Sequence, residues 1–115
     1  MAFDFDDDDE DHEEQDLLFI LPLQKGQMGT NQERQAIERL EDELEAAAQA
    51  AGVGEFDGDE YGGGECTLFF CGPDVEQLLA VLRPLVKRSP LGRGAAYVRM
   101  IDDGQGGLVQ RRTML

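Results

Sequence analysis

Glu65-Cys66-Thr67-Leu68-Phe69-Phe70-Cys71 is the most informative segment of this 115-residue chain. Gly62, Gly63 and Gly64 precede it, and Gly72-Pro73 follows. A short run of aromatic and β-favouring residues between turn signals reads as a strand. Side chains alternate on a pleated strand, so Leu68 and Phe70 point one way and Phe69 the other. A strand that is apolar on both sides belongs in the middle of a sheet, with each face covered.

The neighbouring segments fall into place around it. Upstream, Glu55–Tyr61 reads as a short polar strand at a sheet edge, where charge blocks unwanted pairing. Leu17–Leu23 is a second strand apolar on both faces, with Leu17, Phe19 and Leu21 against Leu18 and Ile20. Pro22 limits pairing near its end. Gln24–Asn31 is a loop. Thr30 followed by Glu33 fits a capping box, with Asn31 an alternative cap. The helix that follows runs to about Ala51, with Ile37, Leu40, Leu44, Ala47, Ala48 and Ala51 as its apolar stripe. Arg34, Glu38, Glu41, Asp42 and Glu45 are expected on its solvent face, and Gly52 and Gly54 end it.

Downstream, Pro73 is expected at the first position of a second helix, with Asp74 and Glu76 in its first turn. Val75, Leu78, Leu79, Leu82, Leu85 and Val86 form its stripe. Pro84 is expected to kink or restart it. Ala95–Ile101 is the last full strand, with Ala96, Val98 and Met100 on one face and Tyr97 and Arg99 on the other. Leu108–Leu115 either adds a short edge strand or trails away.

The order strand, helix, strand, strand, helix, strand defines an α+β fold. Right-handed crossovers place both helices on one side. The expectation is a ferredoxin-like βαββαβ sandwich: an antiparallel four-stranded sheet, order 4-1-3-2, with two helices on one face. The two richest strands then lie in the middle and offer apolar side chains to an uncovered face. Such a patch marks an interaction surface, filled by a sheet-to-sheet homodimer or a docked partner.

Charge is distributed unevenly. The chain carries 25 acids and 10 bases, a net charge of −15. Residues 1–16 hold ten of the acids and no Lys or Arg, leaving −5 for the rest. They read as a disordered acidic tail ahead of a single domain over 17–115. Phe3 and Phe5 are the tail's apolar exceptions. The balance disfavours nucleic acid and anionic membranes and favours a basic protein partner. No apolar run approaches the ~20 residues of a membrane span, and the acidic N-terminus is unlike a signal peptide. Cys66 and Cys71, five apart on one strand, lie on opposite faces and roughly 16 Å apart, too far to bridge. Two thiols suit a cytoplasmic location.

The run Gly54-Glu55-Phe56-Asp57-Gly58-Asp59-Glu60-Tyr61-Gly62-Gly63-Gly64-Glu65, then Leu68-Phe69-Phe70-Cys71-Gly72-Pro73-Asp74, resembles small bacterial ferredoxin-like proteins of unassigned activity. The likeness covers roughly the middle third and consists of turn chemistry. It implies the fold and carries no active residues across. In character, the small acidic chain also looks like immunity proteins that neutralise toxins.

Catalytic and metal signatures are weak. Asp57-Gly58-Asp59-Glu60-Tyr61-Gly62 imitates the start of an EF-hand loop, but Tyr61 stands at position five and Leu68 at twelve, where the bidentate Glu belongs. A hairpin turn with solvated acids is favoured. Lys25-Gly26-Gln27-Met28-Gly29-Thr30 leads into a helix amino end, as in acylphosphatases, but lacks their cradle and the Gly-Lys-Ser/Thr ending of a P-loop. His12 is the only histidine. RNA recognition modules carry aromatics on the same central strands, yet basic residues around Phe19, Phe69 and Phe70 are missing. The cysteines read as small apolar strand residues. Arg83, Lys87, Arg88 and Arg93 form a basic helix end that could hold the acidic tail.

The sequence therefore points to a non-enzymatic binding protein with no catalytic, cofactor or metal residues. Its expected role is an immunity or inhibitor protein, dimeric, that occludes a basic toxin or effector. The residues expected to meet that partner are Phe3, Phe5, Asp7, Asp8, Asp9, Glu10, Asp57, Asp59, Glu60, Tyr97 and Arg99. A structural or regulatory dimeric module and an acylphosphatase-like hydrolase are the alternatives.

Overall fold

The computed structural model describes residues 15–24, 29–102 and 104–115. The elements are β1 (Gln15–Pro22), α1 (Asn31–Ala51), β2 (Glu55–Gly62), β3 (Glu65–Gly72), α2 (Val75–Arg88), a 3-10 turn (Pro90–Gly92), β4 (Ala96–Asp102) and β5 (Leu108–Met114). They form an α+β fold with one five-stranded sheet, order β2-β3-β1-β4-β5, in which every neighbouring pair is antiparallel. Read from β4, the first four strands run 4-1-3-2, and β1 and β3 are interior as their composition requires.

The expected four strands are corrected to five. β5 pairs with β4 from Ala96↔Met114 to Asp102↔Leu108. Without it, the outer backbone groups of β4 would form a bare edge. β5 takes over that edge position, with Leu108, Val109 and Met114 exposed along it.

Boundaries follow from local hydrogen bonds. At α1, Glu33 N donates to Thr30 Oγ1 at 3.1 Å and Thr30 N donates to Glu33 Oε1 at 3.2 Å, the reciprocal capping box. At α2 the cap is Asp74, whose Oδ1 accepts from Glu76 N at 2.9 Å, so Pro73 precedes the cap instead of opening the helix. Val75 N donates to Gln15 Oε1 at 2.8 Å, which ties the start of β1 to the start of α2. β1 thus begins two residues inside the stretch expected to be tail. α2 continues through Pro84 to Arg88. Pro84 and Ala80, whose carbonyl loses its donor, are exposed, so solvent can supply the missing partner.

The hairpin between β2 and β3 turns on Gly63 (φ 61°) and Gly64 (φ 81°), flanked by the pair Gly62↔Glu65. Two successive left-handed residues match the twist of the strands, and only glycine adopts them cheaply. A bulge at Asp57, between Phe56↔Phe70 and Gly58↔Phe69, resets the alternation of β2. Beyond it Asp59 and Tyr61 share a face with Leu68 and Cys66, while Glu60 shares the other with Thr67.

Both helices pack on one side. Leu17, Phe19 and Leu21 of β1 and Cys66, Leu68 and Phe70 of β3 are buried with Ile37, Leu40, Leu44 and Ala48 of α1 and Leu78, Leu82 and Val86 of α2. Phe19 lies between Phe70, edge-on at 6.1 Å between centroids, and Tyr97 at 6.4 Å. One residue of the α1 stripe departs from expectation: Glu41, assigned to the solvent face, is only 7% exposed. Its place between Ile37 and Leu44 puts it on the packed side of the helix.

Candidate functional site

The sheet face opposite the helices carries Leu18 and Ile20 of β1, Thr67, Phe69 and Cys71 of β3, and Ala96, Val98 and Met100 of β4. Leu18, Ile20 and Phe69 are half-buried and Met100 is exposed, whereas Ala96 and Val98 are buried. Neighbours cross the face in a row Phe69–Leu18–Val98–Arg112. Glu55 and Glu60 of edge strand β2 look out on the same side. Arg112 Nη2 of β5 reaches Glu65 Oε2 of β3 at 3.5 Å. β1 and β4 lie between those strands, so the pair straps across the open face. Both partners are about half exposed, and such a pair contributes at most about 1 kcal/mol, so a docking partner could displace it.

The residues expected to contact a partner are dispersed. Phe3, Phe5, Asp7, Asp8, Asp9 and Glu10 lie outside the described residues. Asp57 is exposed at the bulge, and Glu60 is exposed on the open side. Asp59 points to the helix side. Tyr97 is 8% exposed beneath α2, with the Arg83 guanidinium 5.9 Å from its ring centroid. Arg99 is on the same side and pairs with Glu76. Tyr97 and Arg99 therefore stand apart from the open face. Gly58 to Gly62 pair with β3, in keeping with the polar edge strand read over Glu55–Tyr61, and with Asp57 at the bulge the segment does not curl as a calcium loop must. Residues 25–28 of the anion-loop candidate lie outside the described residues. At the helix amino end beside it, Glu33 Oε2 accepts from Gln24 N at 2.6 Å and Oε1 accepts from Thr30 N, so a carboxylate already occupies the place an anion would take. In the basic cluster, Arg88 pairs with Glu43 at 3.2 Å.

A second site emerges under α1. Glu41 of α1, Asp59 of β2 and Cys66 of β3 bring one carboxylate oxygen each and the Cys66 Sγ within 4.8 Å of one another. Tyr61 O–H donates to the Cys66 sulfur, and the Arg34 guanidinium lies 4.5 Å from the Tyr61 ring centroid. Arg34 and Glu41 are seven apart, two turns along the same side of α1. Burial foremost, then hydrogen bonding to Asp59 and its charge, pushes the Glu41 carboxyl up to about 8. As the protonated acid it donates to Asp59, yet Glu41 Oε2 is buried with no hydrogen-bond partner. Burial foremost, then the Asp59 charge, pushes the Cys66 thiol up to about 12. Burial likewise raises the Tyr61 hydroxyl. Sequence reading missed this cluster, although Glu41 lies four residues after Ile37 and three before Leu44, where the apolar stripe has to pass.

The elevated Glu41 carboxyl has a consequence for stability. Its affinity for a proton is higher in the folded chain than in the unfolded one. That contribution is complete below the ordinary value of 4.5 and is lost as pH rises through about 8. Glu41→Gln keeps the neutral form at every pH. In chelator-treated protein the variant should match the parent in acid and become more stable by on the order of 4 kcal/mol near pH 8. Urea unfolding of both proteins across this range checks it, and parallel profiles would remove the proton from Glu41.

The fold and these two sites define a small α+β domain with an open sheet face and a buried acid–thiol cluster. Comparison with protein-family models, with curated proteins and with solved structures finds no match. No helix among the described residues is long and apolar enough to cross a membrane.

Proposed function

We propose that this is a non-enzymatic binding protein that docks a basic protein through its open sheet face, as an immunity or inhibitor protein does when it occludes a toxin or effector. The observation that carries this reading is the half-exposed patch of Leu18, Ile20 and Phe69, flanked by Glu55 and Glu60 on the neighbouring edge strand. Apolar side chains anchor and surrounding carboxylates steer. Strand order 4-1-3-2 with both helices on one side supports a ferredoxin-like core, to which β5 is an addition. Charge favours a basic partner over a second copy, since self-association would bring together two chains of −15 each.

Site-specific photo-crosslinking tests this. A photoreactive residue replaces Phe69 on the open face or Ala80 on the outer side of α2, and adducts from native lysate are identified by mass spectrometry. The expected adduct is a basic protein reached from position 69 and not from 80. Calorimetry with that purified protein should show affinity that falls with salt and at least tenfold weaker binding to Ile20→Glu. Equal adducts from both positions, an acidic partner, or a crosslink only to a second copy of this chain would overturn the proposal.

A further inference from the structure

We propose that Glu41, Asp59 and Cys66 form a binding site for a divalent transition-metal ion of the zinc type. The site is independent of the open-face reading, for it lies on the opposite side of the sheet. Its donors come from α1, β2 and β3 and converge within 4.8 Å. Around a tetrahedral zinc ion, Zn–S of ~2.3 Å and Zn–O of ~2.1 Å place donors about 3.5 Å apart. Closing the remaining gap requires about an ångström of side-chain adjustment. Asp59 is exposed, with solvent around it in which to make that adjustment, and its exposure opens a path from solvent to the ion.

A separate observation points to a cation. Glu41 is 7% exposed, and its Oε2 is buried without a hydrogen-bond partner. An orphaned oxygen at such depth is costly, and a coordinated ion would supply its counterpart. The donor chemistry selects the ion. Calcium and magnesium require about six oxygens and gain nothing from sulfur, whereas a thiolate with two carboxylates suits zinc. Three anionic donors around a divalent ion leave one negative charge. Arg34, stacked on the Tyr61 ring, is placed to offset it. Tyr61 O–H, directed at the Cys66 sulfur, would orient the thiolate from outside the coordination shell.

The step balances without redox chemistry. The metal forms bonds to Cys66 Sγ and to one oxygen each of Glu41 and Asp59. The Cys66 S–H bond breaks and its proton leaves to solvent, as does any proton held on the carboxyl that binds the ion. Water completes the fourth position, the open place that a three-ligand zinc site keeps.

Cobalt(II) titration of the full-length reduced protein tests the site. Coordination by Cys66 should give one sulfur-to-cobalt charge-transfer band per chain and tetrahedral visible bands, both bleached by one equivalent of zinc. Zinc calorimetry in buffers of different ionisation enthalpy, near neutral pH, should report net proton release on binding, as conversion of the Cys66 thiol to a thiolate requires. Asp59→Asn, a change at an exposed position, should weaken binding at least tenfold while circular dichroism stays unchanged. Cys66→Ser should abolish the thiolate band, and Cys71→Ser on the other face should retain it. Residues 1–16 contain no thiol, so metal held by their carboxylates cannot produce the band. Absence of the band at stoichiometric cobalt, its survival in Cys66→Ser, or equal affinity in Asp59→Asn would overturn the proposal.

Discussion

Phe19→Ala is expected to destabilise the domain by about 3–5 kcal/mol, a large share of the ~5–15 kcal/mol that holds a domain together. Phe19 is fully buried at the middle of interior strand β1, against Phe70 and Tyr97. β3 and β4 both hydrogen-bond to β1 and fix its position, so a cavity there cannot collapse readily. The urea midpoint should fall with the slope unchanged. Phe69→Ala removes the same atoms from the half-buried open face and should cost about 1 kcal/mol. Comparable losses for the two would mean that the open face is as tightly packed as the helix side.

Gly72→Ala should produce the second large loss, about 2–3 kcal/mol or more, from overpacking. A Cβ at Gly72 would stand 2.2 Å from the Val53 carbonyl oxygen and 3.2 Å from the Gly54 Cα. Both neighbours are backbone, so relief requires moving the connection between α1 and β2 away from the end of β3. Gly62 is the control, because a Cβ there meets nothing within 4 Å. Gly62→Ala should leave the thermal midpoint within a degree or two of the parent, whereas Gly72→Ala should lower it by about 10 °C or more. Equal midpoints would show that the α1–β2 connection yields easily. Gly72 reads in sequence as part of a Gly-Pro turn signal, but its principal constraint is a close backbone approach.

Features governed by neighbours along the chain were legible in the sequence. Thr30 and Glu33 announced their capping box, Gly62–Gly64 a turn that the structure narrows to Gly63-Gly64, and the apolar character of both faces of β1 and β3 their interior positions. Features governed by contacts between distant segments were not. Asp74 caps α2, and Val75 N donates to Gln15 Oε1 sixty residues away. The sequence leaves Leu108–Leu115 open between a short edge strand and a trailing end, and the edge that β4 presents makes it β5. Tyr97 and Arg99 were correctly separated from Ala96, Val98 and Met100, but alternation does not say which set the helices cover.

The sequence by itself determined the two helices and the first four strands, along with the strong acidity of the chain. Periodicity, turn residues and charge act over a few positions and are carried in the order of the letters. Only the tertiary structure decided that Glu41, Asp59 and Cys66 meet. A one-residue bulge at Asp57 turns Asp59 inward, and helix packing turns Glu41 toward it. Phase and packing angle belong to the assembled layers, because the burial that fixes them arises only when helix and sheet come together.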